Sequence, residues 1–472
     1  MRLLRPDSDE AFVMGAERRA GREVEGVKDR ATEKTPAAVL EEAKQAGEIR
    51  ARWAWVEPTV WTERMLAALE QGVKGGKWFS LMDKVYALPN LRAAFAKVRA
   101  NAGAAGVDRQ TVTMFEQHLE TNLERLAAEL KAGSYRPQSV RRKWIAKAGK
   151  QHEQRPLGIP TVRDRVVQTA MRNVLEPIFE RDFATHSYGF RPRRGCKDAL
   201  RRVVELLRAA NTYIVDADLK SYFDTIPQLT LLEEVKRKIA DGRVLAVIEQ
   251  YLTNSVMDDL EQWTPPSGTP QGAVLSPLLS NIYLDPLDHL MRQEGYEMVR
   301  YADDFIILCR SEAEAQRALE RVQQWTAQAG LTLHPDKSHI VDATQRGGFD
   351  FLGYHFERGL RWPRKKSLAK FKEAVRAKTK RTNGQSLNII LTTVNRTLGG
   401  WFEYFKHSDP RTFAPLDGWV RMRLRSILRK RHAGQGRGGG NDHRRWPNAY
   451  FAARGLFSLA TAHATACQSS RR

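Results

Sequence analysis

The chain alternates stretches of helical apolar spacing with short apolar or β-branched runs, and this alternation outlines most of its elements. Residues 1–80 are polar and Ala/Glu-rich, with helical spacing over 37–52 and a cluster of Trp53, Trp55, Trp61 and Trp78 broken by Gly72, Gly75 and Gly76. That pattern predicts an extension that is part disordered, part helical. Helical spacing resumes over 81–130, interrupted by "NAGAAGVD", and Thr111 is placed to cap the helix that follows. Residues 135–160 change to a strand-and-turn texture punctuated by prolines and glycines. Helices are expected over 161–182, 196–210, 228–253, up to about 293 after a Pro/Gly turn at 264–272, and over 311–329. Strands are expected at "TYIVDADL", on both arms of "MVRYADDFIIL", at "GLTLHP" and at "FDFLGYHF". Beyond Arg361 the pattern is helical to Arg431, then comes "AGQGRGGGND" as a flexible hinge and "RRWPNAYFAARGLFSL" as a short aromatic tail. Strands and helices in this order, without strict βαβ alternation, predict an α+β centre with an antiparallel sheet.

A chain of 472 residues exceeds one ordinary core and implies two or three domains. Composition is that of a soluble globular protein. Apolar runs are too short to span a membrane, and the first residues lack the hydrophobic segment of a signal peptide, so a cytoplasmic location is expected. Cys196, Cys309 and Cys467 form no C-x-x-C pair, which argues against a disulfide framework or a cysteine zinc site.

Charge changes the picture more. The formal net charge is +22, and from Arg361 onward 25 basic residues face 5 acidic ones, so this last quarter carries +20. Residues 131–200 add +10, and the remainder is mildly acidic. Two basic blocks around an acidic centre suit a polyanion such as nucleic acid; a surface charged only for solubility would mix its signs.

The acidic centre holds the candidate chemistry. Asp303 and Asp304 sit inside an apolar, β-branched run, where neighbouring side chains of a flat strand would face opposite ways. A hairpin with Ala302 to Asp304 as its turn would present both carboxylates at the tip, and a divalent cation would compensate them. "YIVDADLKSYFD" supplies Asp216, Asp218 and Asp224 as partner acids from a second strand. Two Mg²⁺ ions bridged by acids from adjacent strands can activate a 3′-hydroxyl and stabilise a leaving pyrophosphate, which is nucleotidyl transfer.

In order, "AGKQHEQRPLGIP", "SYGFRP", "YIVDADLKSYFD", "GTPQGAVLSPLLSNIYL", "RYADDF", "GLTLHPDKS" and "FDFLGY" resemble the consecutive blocks of group II intron reverse transcriptases, the maturase-like intron-encoded proteins. "NAGAAGVD" resembles the extra N-terminal block of that family. The resemblance runs from about Asp83 to Leu459. It implies a right-hand polymerase fold: a 1–80 extension, fingers over 81–200, a palm over 201–360, an α-helical thumb/maturase domain over 361–432, and a hinge with a short segment over 433–472.

The same resemblance assigns residues. Asp218, Asp303 and Asp304 match the catalytic metal acids, with the Leu219 carbonyl as a further ligand of two Mg²⁺ ions. Phe223 falls at the aromatic steric gate that favours dNTPs. Lys147 and Arg155 match the triphosphate-binding Lys and Arg, although Ala146 and Ala148 stand where relatives often have prolines. Gln271 and Gly272 of "GTPQG" match contacts to nucleotide and template, Tyr301 one to template or primer, and Lys337 the lysine near the leaving pyrophosphate. "WVRMRLRSILRKRH" places Arg421, Arg425 and Arg429 at helical spacing as a basic stripe for RNA. The implied partners are intron RNA, an RNA template, a DNA primer or target DNA, and dNTPs, with no membrane and a dimer as the oligomeric state to test. The cysteine pairs of the HNH endonuclease that many relatives carry are absent up to Arg472, so a protein without that domain, taking its primer from elsewhere, is expected. Two other readings stand beside reverse transcription with splicing assistance: a reverse transcriptase domesticated for defence or repair, and a non-catalytic RNA-folding splicing cofactor.

Overall fold

The computed structural model describes residues 47–146, 154–258, 261–269, 272–335, 337–436 and 440–469. The chain forms two compact units, with the division in sequence between Ile340 and Val341.

The first unit is built around a helix buried on nearly every side, α2 (Val162–Glu180), against which α1 (Leu88–Ala100) packs. Its apolar residues run continuously (Val166, Val167, Ala170, Met171, Val174, Leu175), and only a narrow stripe with Arg165, Arg172 and Glu176 reaches water. Thr161 caps it by accepting from the Asp164 amide at 3.3 Å. The tryptophans at its edge enter the same core: Trp61 is fully buried and meets Trp78 edge-on at 5.6 Å.

Two sheets belong to this unit. In one, β1 (Val140–Ala146) pairs antiparallel with β2 (Gln154–Ile159) and parallel with β4 (Val256–Asp258), which pairs in turn with β5 (Glu261–Trp263). The other has the order β6-β7-β3-β8, with β3 (Tyr213–Asp218), β6 (Glu297–Tyr301), β7 (Asp304–Cys309) and β8 (His339–Asp342). β6, β7 and β3 are antiparallel neighbours, as the strand pattern predicted. Helices α3 (Cys196–Arg208), α4 (Ser276–Gln293) and α5 (Glu312–Gln328) pack on these strands. Phe305 to Cys309 are buried without a break, which explains why β7 reads as a continuous apolar run rather than an alternating one.

Two elements differ from the sequence reading. The single helix expected over 228–253 is two, Gln228–Lys236 and Gly242–Leu252. Between them Ile239 bridges to Trp78, and Asp241 starts the second helix: its carboxylate accepts from Arg243 and Val244 as an N-cap, and from the Leu81 and Met82 amides at 2.7 and 2.9 Å. "GLTLHP" is not a strand; it contributes one bridge, Leu333 to Leu219.

In the second unit a small antiparallel sheet, β9 (Phe349–Phe351), β10 (Tyr354–Glu357) and β11 (Leu360–Pro363), precedes α6 (Lys365–Lys378), α7 (Leu387–Phe405) and α8 (Phe413–Arg431). The tail is part of this core. Trp446, Phe451 and Leu459 are buried among Phe402, Phe413, Val420, Leu424 and Ile427. Asp417 of α8 accepts from the Leu459 and Ala460 amides at 2.9 and 3.1 Å and so caps the last helix, α9 (Leu459–Ser469).

Candidate active site

Tyr301 and Asp304 form the last pair of the β6-β7 ladder, which leaves Ala302 and Asp303 as a two-residue turn. Ala302 takes φ 61, the left-handed backbone that such tight hairpins require at the first turn position. The turn is therefore one residue shorter than expected: Asp304 is the first residue of β7, while Asp303 is at the tip. Asp218 ends β3 directly opposite Asp304. Facing cross-strand side chains have Cβ atoms about 5 Å apart, and two carboxylates so placed repel each other unless a cation intervenes.

A cation is in place. The Lys337 ammonium is ion-paired with the Asp218 carboxylate. Its segment is docked on the strand end, since the His334 amide donates to the Asp218 carbonyl and the Lys220 amide to the Thr332 carbonyl, 2.7 and 2.8 Å. Neither bond uses the Leu219 carbonyl. Among the described residues no three His, Cys, Asp or Glu side chains are grouped so as to hold a metal ion. The candidate donors are the carboxylates of Asp218 and Asp304 across the ladder, with Asp303 beside them in the turn; such hard oxygen ligands suit a divalent cation.

Beneath the turn lies a network that sequence reasoning missed. Arg300 is fully buried. Its Nε donates to both Asp288 oxygens at 2.8 and 3.0 Å, its Nη2 binds Asp288 again, and its Nη1 donates to Asn281 Oδ1 and to the Ala302 carbonyl, both at 2.9 Å. Burial by itself would lower the basicity of this guanidinium, but the Asp288 charge and hydrogen bonds, with smaller contributions from Tyr222 and Asp285, together outweigh it and hold the group protonated. The available signal was an arginine inside an apolar strand, "MVRYADD". Asn281 also donates to the Gly189 carbonyl at 2.9 Å, and Gly189 explains the glycine of "SYGFRP". A Cβ there would stand 2.1 Å from the Ala302 nitrogen, so only glycine lets this segment lie against the acidic turn.

The remaining assigned residues are distributed as follows. Phe223 is half-buried one turn after β3, its carbonyl accepting from the Thr269 amide at 2.7 Å. Gly272 has φ 101, and a Cβ on it would come within 2.4 Å of the Gly158 carbonyl of β2, a packing reason for that glycine. Tyr301 is half-buried; burial raises its phenol, and the Cys196 thiol of α3 lies beside it. Lys147 and Gln271 lie outside the described residues, as does the side chain of Arg155, whose backbone pairs with Ile145.

The basic stripe on α8 requires correction. Arg425 is 2 % exposed; its Nε donates to the Trp446 carbonyl at 2.9 Å, its Nη2 to Asn448 at 2.8 Å, and its guanidinium lies over the Phe451 ring. It holds the tail rather than facing RNA. Arg429 is half-buried and bound to Asp442 and the Gln435 carbonyl, both at 2.6 Å. Arg421 is half-buried, with its Nε enclosed. Lys380, Arg381, Arg396, Lys430 and Arg431 are exposed.

The chain is similar to known proteins over much of its length. A family model described as reverse transcriptase (RNA-dependent DNA polymerase) matches residues 145–356, and one described as group II intron, maturase-specific domain matches residues 368–446. Protein YkfC of Escherichia coli is 31% identical over 350 residues, covering 65% of this chain and 86% of that protein. The group II intron-encoded protein LtrA of Lactococcus lactis is 38% identical over 202 residues, 42% of this chain but only 33% of LtrA. A solved structure titled "Partial Cas6-RT-Cas1--Cas2 complex" matches at 24% identity and a TM-score of 0.35, covering 53% of this chain and 41% of that one.

Proposed function

Because the chain belongs to the family of group II intron-encoded reverse transcriptases and maturases, we propose that it copies RNA into DNA in the cytoplasm and binds intron RNA to assist splicing and mobility. The observation that carries the polymerase reading is the pairing of Asp218 with Asp304, with Asp303 in the adjoining turn. Asp218, Asp303, Asp304 and the Leu219 carbonyl would hold two Mg²⁺ ions, which when bound supply Lewis acidity to the attacking 3′-hydroxyl and the leaving pyrophosphate.

The chain's own groups do the positioning. The Phe223 ring would lie under the sugar of the incoming nucleotide, where a 2′-hydroxyl would clash. Lys147, Arg155 and Gln271 would hold the triphosphate, Arg155 by a two-pronged grip and Lys147 as a point charge. Lys337, ion-paired with Asp218 at the acidic strand ends, would stand near a departing pyrophosphate. Gly272 and Tyr301 would border template and primer. The strongly basic last quarter supports RNA binding by the second unit, through its exposed lysines and arginines rather than Arg425. Among the described residues no helix is long and apolar enough to cross a membrane.

The test is extension of a DNA primer on an RNA template with Mg²⁺. Asp303→Ala should reduce synthesis by a factor of a thousand or more, on the order of 4 kcal/mol of transition-state stabilisation, while RNA binding persists. Synthesis at the wild-type rate would remove the assignment of the acids.

A further inference from the structure

Phe190 keeps much of its aromatic surface in water. It is 41 % exposed and has φ 59, a left-handed backbone that a bulky residue adopts only at a cost. Neither feature reflects a loose loop, because the chain is fixed on both sides of it. On one side the Tyr188 amide donates to the Arg300 carbonyl at 2.8 Å, and Gly189 is pressed against the backbone of Ala302. On the other, Arg191 is buried, donating to Glu180 at 2.8 to 3.1 Å, to the Ala184 carbonyl at 2.5 Å and to the Ser187 carbonyl at 2.9 Å. Between two buried anchors, the Phe190 ring remains at the surface. There it meets Phe223 edge-on, centroids 6.5 Å apart and planes at 68°. The other ring against Phe223 is Tyr222, at 5.4 Å and 64°, itself fixed by a 2.8 Å bond from its hydroxyl to the Ser280 carbonyl.

We infer that Phe190 is a positioning residue for sugar discrimination: its ring sets the attitude of the Phe223 ring, and its backbone, fixed against Ala302 through Gly189, ties that ring to the acidic turn. The inference rests on the proposed gate role of Phe223 and goes beyond it by naming what holds the gate. A ring free to tilt away would leave room for a 2′-hydroxyl. One edge-to-face contact of this kind is worth enough to change selectivity roughly two- to tenfold.

The experiment measures the ratio of deoxyribonucleotide to ribonucleotide incorporation by the full chain on an RNA template. Four variants are compared: Phe190→Ala, Phe190→Tyr, Phe223→Ala and the Phe190→Ala/Phe223→Ala double. Because the ring is exposed, Phe190→Ala should fold, which an unchanged melting temperature checks. The ratio should fall roughly two- to tenfold in Phe190→Ala, recover in Phe190→Tyr, fall in Phe223→Ala, and fall no further in the double variant. A ratio unchanged by Phe190→Ala while Phe223→Ala lowers it overturns the inference and leaves the gate standing. The same holds if Phe190→Ala lowers the ratio equally with Phe223 already removed, since the two rings then act independently. If Phe223→Ala also leaves the ratio unchanged, the gate reading fails and takes the inference with it.

Discussion

At the scale of residues, the proposed active site depends on groups that never touch substrate. Ala302 holds a left-handed backbone that costs about 1 kcal/mol or more for a residue with a side chain. Arg300 and Gly189 hold it there, one by a hydrogen bond to its carbonyl and the other by close packing. Arg300→Met should destabilise the fold by about 3–5 kcal/mol in urea denaturation, because it leaves the Asp288 carboxylate buried and unpaired. Removing both charges together, as Arg300→Met with Asp288→Leu, should recover part of that loss. Gly189→Ala tests the packing. The added methyl must push the turn away, so primer extension should fall at least tenfold while the helical circular dichroism signal stays unchanged. Full activity in that variant would mean that the turn tolerates displacement.

At the scale of elements, neighbours decide what a periodic pattern becomes. Residues 228–253 have continuous helical spacing, yet the chain leaves the helix after Lys236 to bridge Trp78 through Ile239, and Asp241 starts a second helix while its carboxylate accepts from four backbone amides. On α8 the apolar positions Val420, Leu424, Ile427 and Leu428 are buried as the spacing implied, but Arg425 is buried too, since the tail covers a second side of that helix. Spacing within one helix carries no information about a segment twenty residues downstream. Asp417 supplies an equally non-local contact, capping α9 from α8. Asp417→Ala should cost about 0.5–2 kcal/mol, the worth of an N-cap, and amide hydrogen exchange should rise across 459–469 before it rises elsewhere. Uniform protection in that variant would show the tail to be held by its apolar contacts alone.

At the scale of the whole molecule, charge separates two tasks: acids gather in the sheet of the first unit, and most of the net positive charge belongs to residues 361–472. Each basic group that neutralises an RNA phosphate releases counterions, so affinity should fall steeply with salt. Replacing Lys380, Arg381, Lys430 and Arg431 with glutamine should weaken RNA binding and make the log–log salt slope shallower by up to about 3. Arg425→Gln should instead lower stability and leave that slope unchanged. An equal effect of the two on the slope would return Arg425 to the RNA surface.

The sequence by itself determined the α+β class, the strand that carries Asp218, the two apolar arms that flank Asp303 and Asp304, and the sign and place of the charge. These follow from local patterning and composition, which each segment carries within itself. Only the tertiary structure decided that Asp304 opens a strand, that Gly189 and buried Arg300 support the turn, that Phe190 meets Phe223, and that Arg425 faces inward. The hairpin register is local but is settled by how closely the turn is packed, and the contacts of Gly189, Phe190 and Arg425 join residues distant in sequence, set by packing and by the need to pair buried charge, which no window of neighbouring residues contains.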